Sequence, residues 1–217
     1  MKCIVTAGPT YEELDEVRRL TNFSTGTLGT ELANFLVAHG HEVELLRGHY
    51  STCQIEPLAQ ETQVFTTTAD LRNRLRKLGK PDAIFHAAAV SDFAFGKIWA
   101  GNANGKLRRI RSPKFSTRQG TLLAELVPAP KIISELRDWF PKARIVGWKY
   151  ELDGTRALAI ARARRQRIDN KTDACVVNGR AYGVGFGLVT DGAKCRHLRD
   201  KKALFEALNR RITSQMS

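Results

Sequence analysis

The sequence predicts one α/β domain over residues 1–217, built on a doubly wound, mostly parallel sheet with helices on both faces, a long basic flap and a C-terminal hairpin. Three observations predict it. Strand-like and helix-like runs alternate almost from end to end. The runs at residues 2–7 and 82–88 are predominantly apolar without alternation, as strands buried on both faces are. Two stretches, 91–119 and 179–197, break the rhythm and stand out as additions to it.

Taken in order, residues 2–7 read as a buried strand, and 28–39 as a helix stopped by Gly40. Residues 42–46 form a short strand, and 63–67 another, rich in Thr, Val and Phe. Residues 69–78 place apolar side chains at helical spacing, with Asp70 near the start. Residues 82–88 are a buried strand ending in small residues. Residues 130–139 are a helix with Pro130 near its first turn. A strand at 143–148, a helix at 155–168, a strand at 173–177 and a closing helix at 201–212 complete the alternation. The whole is Rossmann-like. Residues 186–189 and 194–198 flank Asp191-Gly192 as a hairpin. Residues 91–119, rich in Gly, Asn and basic side chains, are too long for an ordinary connection and read as a mobile lid.

Composition narrows the function. With 42% apolar and 26% charged residues the chain is globular, and it has no run of eighteen apolar residues to span a membrane. The N-terminus lacks signal-peptide order, so a cytoplasmic protein without membrane attachment is expected. Cys3, Cys53, Cys175 and Cys195 have no CxxC spacing; Cys3 and Cys175 lie in apolar runs and read as buried small hydrophobes. The net charge is +13, from 35 basic and 22 acidic residues. Much of it sits at residues 106–118 and 156–171, clusters that attract phosphates or nucleic acid, or that simply form a solvated face.

The residues that carry chemistry cluster at strand ends. Asn22-Phe23-Ser24-Thr25-Gly26-Thr27-Leu28-Gly29 opens the first helix with small hydroxylated residues and two glycines. Such a segment can cradle phosphate, because glycine admits backbone N–H groups close to an anion and the helix N-terminus adds favourable partial charge. It can equally be an ordinary helix start capped by Ser24 or Thr25. Three further pieces fall where open α/β sheets bind ligands: Ala87-Ala88-Ala89-Val90-Ser91-Asp92, Gly147-Trp148-Lys149 and Val177-Asn178-Gly179. Each has a plain structural alternative in close packing or a turn.

These pieces together resemble the phosphopantothenoylcysteine synthetase family, over roughly residues 2–212, and most of all its stand-alone bacterial form without a fused flavin-dependent decarboxylase. The likeness rests on Gly8-Pro9-Thr10, Asp15-Glu16-Val17-Arg18, Asn22 to Gly29, Ala88-Ala89-Val90-Ser91-Asp92-Phe93, Lys114-Phe115-Ser116-Thr117, Pro130-Lys131-Ile132-Ile133, Gly147-Trp148 and the strand ending at Asn178. The resemblance implies that the carboxylate of 4'-phosphopantothenate attacks the α-phosphorus of CTP, with ATP as the other candidate. Cysteine then displaces CMP to form an amide. It also implies Mg²⁺ with the pyrophosphate, with metal ligands unassigned, a homodimer, and a separate decarboxylase as a partner. By the same resemblance, Asn22 holds the acyl-nucleotide and Lys114 closes over the phosphates. Lys106 is the rival for that role, and the spacing to Pro130 favours Lys114. Gly8, Thr10, Ser24, Thr25, Gly26, Ala88, Ala89, Asp92, Trp148, Arg167 and Lys171 are the expected nucleotide and phosphate contacts.

Pro9, Thr27 and Gly179 depart from the family pattern; Pro9 removes an N–H donor beside the ligand. Two other classes compete. An NADP-type oxidoreductase would use Arg47 after the second strand on a 2'-phosphate, but the chain has no Gly-x-Gly-x-x-Gly and no Tyr-x-x-x-Lys. A nucleic-acid-binding protein would suit the charge, but only Phe115 is interleaved with the basic residues, so stacking has little support and nucleic acid is disfavoured.

Overall fold

The computed structural model describes residues 1–101, 106–192 and 194–214. Strand β1 (Lys2–Ala7) leads into a short antiparallel hairpin, β2 (Tyr11–Glu13) and β3 (Arg19–Thr21). Helix α1 (Thr27–Ala38), strands β4 (Glu42–Gly48) and β5 (Glu61–Phe65), helix α2 (Thr68–Lys77) and strand β6 (Ala83–His86) follow. Then come β7 (Phe93–Gly101), β8 (Leu107–Ile110), a 3-10 turn (Thr117–Gln119) and β9 (Leu122–Pro128). The chain continues through α3 (Ile132–Trp139), β10 (Arg144–Tyr150), α4 (Arg156–Asp169) and β11 (Ala174–Asn178). It closes with β12 (Phe186–Val189), β13 (Cys195–Leu198) and α5 (Lys201–Thr213).

The main sheet has eight strands in the order β13-β12-β11-β10-β6-β1-β4-β5, parallel from β11 to β5 and antiparallel at β12 and β13. Numbered by their own succession, the six parallel strands lie in the order 3-2-1-4-5-6, the Rossmann arrangement, and the order reverses between β1 and β6. Successive residues of a strand face opposite sides. Val5, Phe85 and Val146 therefore pack with Leu32, Leu36, Leu204 and Leu208 of α1 and α5. Ile4, Ile84 and Ile145 pack on the other side with Leu71, Leu75 and Leu136 of α2 and α3. Both faces of β1 and β6 are dry, which is why those runs carry apolar residues at consecutive positions. Each such fully buried aliphatic side chain contributes about 1.5–3 kcal/mol.

Predicted and observed elements of the main sheet agree to within about two residues. The structure differs in two places. The link between β1 and α1 is not a plain loop; it contains the β2–β3 hairpin. Residues 91–119 are not a structureless lid either. They contribute β7 and β8, which pair with β9 in a separate antiparallel sheet in the order β8-β7-β9. Ile98, Ala100, Ile110 and Phe115 form a small buried cluster there, with Leu14 and Leu122 packed against it. The basic side chains disguise that apolar alternation in the sequence. Residues 102–105 of the predicted flap lie outside the described residues.

Candidate active site at the carboxyl ends of the strands

The crevice beyond β1 and β6 is built from short backbone crossings. Beyond Ala7, the Gly8 carbonyl accepts the Ala89 amide at 2.9 Å, and the Ala89 carbonyl accepts the Thr10 amide at 3.2 Å. The extensions of β1 and β6 thus stay tied together at the switch point. Beneath them, the Ala88 amide donates to Thr6 Oγ1 at 3.1 Å, and Thr6 Oγ1 lies 3.0 Å from His86 Nδ1. His86 is buried, and desolvation pulls its pKa down to about 4. It is a neutral strut under the crevice.

Asn22 is brought into this crevice. It follows β3, is exposed, and donates Nδ2–H to the Ala89 carbonyl at 3.0 Å. That bond uses one of its two N–H groups and leaves the second N–H and Oδ1 for a ligand. Thr10 plays a different part from the one expected. It is fully buried, and its hydroxyl meets Thr68 Oγ1 at 3.1 Å and accepts the Ser91 amide at 2.9 Å. Its side chain fastens the crevice wall rather than facing a ligand.

At the α1 N-terminus, Gly26 is the N-cap, in the left-handed conformation (φ 78°) that disfavours other residues. Neither Ser24 nor Thr25 occupies that position. Thr25 Oγ1 accepts the Thr27 amide at 3.3 Å and meets the Thr27 hydroxyl at 2.9 Å. A side chain at Gly26 would come within 3.2 Å of Gly8 Cα and collide with Ser51. Ser51, which the sequence reading missed, donates to the Thr25 carbonyl at 2.7 Å. Arg47 donates to Ser51 Oγ at 3.1 Å and to the Cys53 carbonyl. Arg47 therefore braces the loop after β4, and nothing reserves it for a 2'-phosphate. Gly29 lets α1 lie directly on β1: a Cβ there would sit 2.6 Å from Ala7 Cβ.

On the far side of β6, Trp148 is half-buried, its indole N–H is buried without a partner, and Gln166 Nε2 donates to its carbonyl at 3.0 Å. Asp92 is exposed at the start of the small sheet, where its carbonyl accepts the Ala129 amide at 2.9 Å. Glu151, another residue the sequence reading passed over, is buried between Lys149 (3.3 Å) and Arg162. Its amide bonds the Asn178 carbonyl at 2.9 Å. Gly179 has φ 109°, and a Cβ there would lie 2.8 Å from Glu151 N. No side chain fits, which accounts for glycine at this position.

Arg167 and Lys171 do not join the crevice. Arg167 lies in the last turn of α4 and Lys171 between α4 and β11, at the opposite edge of the sheet. There Arg167 pairs with Asp191 at 3.4 Å, and the Lys171 carbonyl accepts Arg137 Nε at 3.0 Å. The helix reverses direction between strands, so basic residues in its last turn are carried away from the carboxyl edge. Lys114 is exposed on the small sheet, between Pro113 and Phe115, whose backbones are tied to the β2–β3 turn. Cys3 and Cys175 are buried, and desolvation pushes each thiol up to about 12, so they act as small hydrophobes. Among the described residues no group of three His, Cys, Asp or Glu could hold a metal, and no helix is long and apolar enough to cross a membrane.

Residues 1–214 match the DNA/pantothenate metabolism flavoprotein C-terminal domain. The chain is 31% identical over 188 residues to the coenzyme A biosynthesis bifunctional protein CoaBC of Thermococcus kodakarensis, covering 84% of this chain and 42% of that protein. It is 30% identical over 190 residues to the Bacillus subtilis protein of the same name, covering 87% and 43%. The chain thus spans less than half the length of these curated relatives. Among solved structures, the DNA/pantothenate metabolism flavoprotein from Streptococcus pneumoniae superposes with a TM-score of 0.84 at 26% identity, covering 99% of both chains. The Cab2 mutant H337A in complex with phosphopantothenate-cysteine shares the fold, with a TM-score of 0.73 at 19% identity over 99% of this chain and 85% of that one.

Proposed function

The chain belongs to the DNA/pantothenate metabolism flavoprotein C-terminal domain family, and on that footing we propose that it is a ligase of coenzyme A biosynthesis, joining 4'-phosphopantothenate to cysteine with CTP. The observation that carries the reading is the Asn22–Ala89 hydrogen bond, which unites two otherwise separate motifs at the switch point where such sheets bind nucleotides. The relatives named for coenzyme A biosynthesis supply the substrate class.

In this reading a carboxylate oxygen of phosphopantothenate bonds to the α-phosphorus of CTP, and the bond to pyrophosphate breaks. The cysteine amine then bonds to the acyl carbon, CMP leaves, and the amine gives up a proton. Both steps gather negative charge, which preorganised donors must offset. The free amides at the α1 N-terminus, opened by Gly26, suit the phosphates. The remaining N–H and Oδ1 of Asn22 suit the acyl-nucleotide, since an amide can donate and accept without carrying charge. Lys114 supplies a cation from the small sheet, and Trp148 walls the far side. Asp92 stands at the rim. Mg²⁺ would supply charge neutralisation on the triphosphate. The donor set fits a cation carried mainly by phosphate oxygens, with Asp92 as a protein contact, because no dedicated carboxylate cage forms among the described residues. Arg167 and Lys171 are given no part. ATP is the alternative nucleotide, and a separate decarboxylase would act on the product, with the reaction in the cytoplasm.

The enzyme is proposed to work as a homodimer. On one face of the small sheet, Trp99 pairs with Leu123 and Leu107 lies beside them on β8, while Phe93, Phe95 and Leu126 alternate onto the other face. Leu107 and Leu123 are each about half exposed (48–50%). A contiguous apolar face of this kind favours a covering partner, and a second copy supplies one. The test of the ligase reading is incubation with 4'-phosphopantothenate, cysteine, Mg²⁺ and each triphosphate in turn. Pyrophosphate release dependent on phosphopantothenate, with amide product of the right mass, supports it; no product with any triphosphate overturns it.

A further inference from the structure

The Asp15 turn joins the two parts of the proposed site. The β2–β3 hairpin ends one residue before Asn22, and its tip meets the segment that carries Lys114. The Asp15 side chain is fully buried. Its Oδ1 accepts the amides of Val17 at 2.9 Å and Arg18 at 2.7 Å, which closes the turn. Its Oδ2 reaches out of the hairpin and accepts the Phe115 amide at 3.2 Å. Arg18 completes the grip: Nη2 donates to the Phe115 carbonyl at 2.5 Å and sits 3.3 Å from Asp15 Oδ2. The Glu16 amide takes the Pro113 carbonyl at 3.0 Å. Both backbone groups of Phe115 and the carbonyl of Pro113 are therefore held, and Lys114 lies between them. Leu14 packs into the same small cluster as the Phe115 ring.

The other end of the hairpin is fixed to the main sheet. The Tyr11 amide donates to the Thr66 carbonyl at 3.2 Å, and Thr21 Oγ1 donates to the Thr10 carbonyl at 2.9 Å. The Arg19 guanidinium lies 4.2 Å from the centre of the Tyr50 ring. A rigid two-stranded arm thus has Asn22 at its base and the Lys114 segment at its tip. Burial pushes the Asp15 carboxyl up, but the amides of Phe115, Val17 and Arg18 and the Arg18 charge outweigh it, and the group is held below the usual carboxylate range.

We propose that Asp15 is a positioning residue: its carboxylate clasps the hairpin tip to the Phe115 backbone and so sets where Lys114 stands relative to Asn22. The inference rests on the ligase reading for what Lys114 does, and on this geometry alone for the clasp. It requires an anion with two acceptor oxygens. In Asp15→Asn one oxygen can still close the turn, but the other position becomes an N–H₂ facing the Phe115 amide. The hairpin then keeps its fold and loses its grip.

The test combines tryptic cleavage with kinetics on the full chain. In Asp15→Asn, cleavage at Arg111, Lys114 and Arg118 is expected to speed up, while cleavage elsewhere stays at the wild-type rate. The kcat/KM for amide formation is expected to fall about tenfold or more, as misplacing a reacting group does. In the Lys114→Ala background the same substitution is expected to cost less than about threefold, because a positioning residue has nothing left to position. Asp15→Glu, which keeps two acceptors on a longer arm, is expected to restore part of the loss. Unchanged cleavage in Asp15→Asn overturns the clasp. Faster cleavage with full activity, or equal losses with and without Lys114, overturns the positioning role. A wild-type chain without ligase activity overturns the functional reading instead, and the cleavage rates then decide the clasp separately.

Discussion

Acidification should weaken this protein through one buried ring. His86 stands beneath the crevice with Nδ1 3.0 Å from the Thr6 hydroxyl, and burial lowers its pKa to about 4. In the unfolded chain the same ring titrates near 6.5. The native pKa is the lower one, so the unfolded state binds more protons between the two values. The stabilisation is fully present above about pH 6.5 and is lost as pH falls towards 4. With these two pKa values, stability drops by roughly 2.5 kcal/mol between about pH 7.5 and about pH 4.5 on account of His86 alone. Asp15, Asp70 and Asp200, whose carboxyls are held below the ordinary range, add their own acid sensitivity at lower pH. Comparison with His86→Gln removes those contributions, because glutamine can still hydrogen-bond Thr6 and does not titrate. Urea unfolding of both proteins across this range measures the difference directly. The wild-type advantage over the variant should shrink by roughly 2–3 kcal/mol on acidification. Parallel stability curves would refute the buried neutral histidine.

Asn22→Asp should abolish most turnover with little change in melting temperature, since Asn22 is exposed and the change places a negative charge beside phosphate; steady-state kinetics and a thermal scan check both halves. Arg167→Ala should leave the KM for triphosphate within about twofold, because the residue lies at the opposite sheet edge and pairs there with Asp191. Gly179→Asp should destabilise the fold by about 3 kcal/mol or more, combining a disfavoured φ with a collision against the Glu151 backbone, as denaturant titration would register. Leu107→Asp combined with Leu123→Asp should turn the proposed dimer into a monomer in sedimentation while the main sheet stays folded.

The parallel sheet was legible because its central strands bury both faces, so Ile4 with Val5 and Ile84 with Phe85 leave an apolar signal at consecutive positions. The Asn22 to Gly29 segment was legible as a helix start, but its cap was not: Gly26 takes the position that Ser24 or Thr25 was expected to fill. The small sheet was hidden because its alternation has one dry face and basic side chains crowd the strands, so 93–101 and 107–110 look like a charged loop. Arg167 and Lys171 were misplaced because a linear pattern does not say at which end of the sheet a helix finishes. Ser51, Glu151 and His86 act through buried contacts with distant residues, and no local spacing announces those.

The central claim is that the crevice at the β1–β6 switch point makes an amide from 4'-phosphopantothenate and cysteine at the expense of CTP. The most direct measurement is trapping of the acyl-nucleotide: wild type and Asn22→Asp are mixed with phosphopantothenate, Mg²⁺ and α-³²P-labelled CTP without cysteine, and the label is followed. The account predicts that wild type forms one labelled phosphopantothenoyl-CMP per site, consumed with release of CMP when cysteine is added, and that Asn22→Asp accumulates much less. Label that never joins phosphopantothenate, or an intermediate that forms equally well in Asn22→Asp, would contradict it.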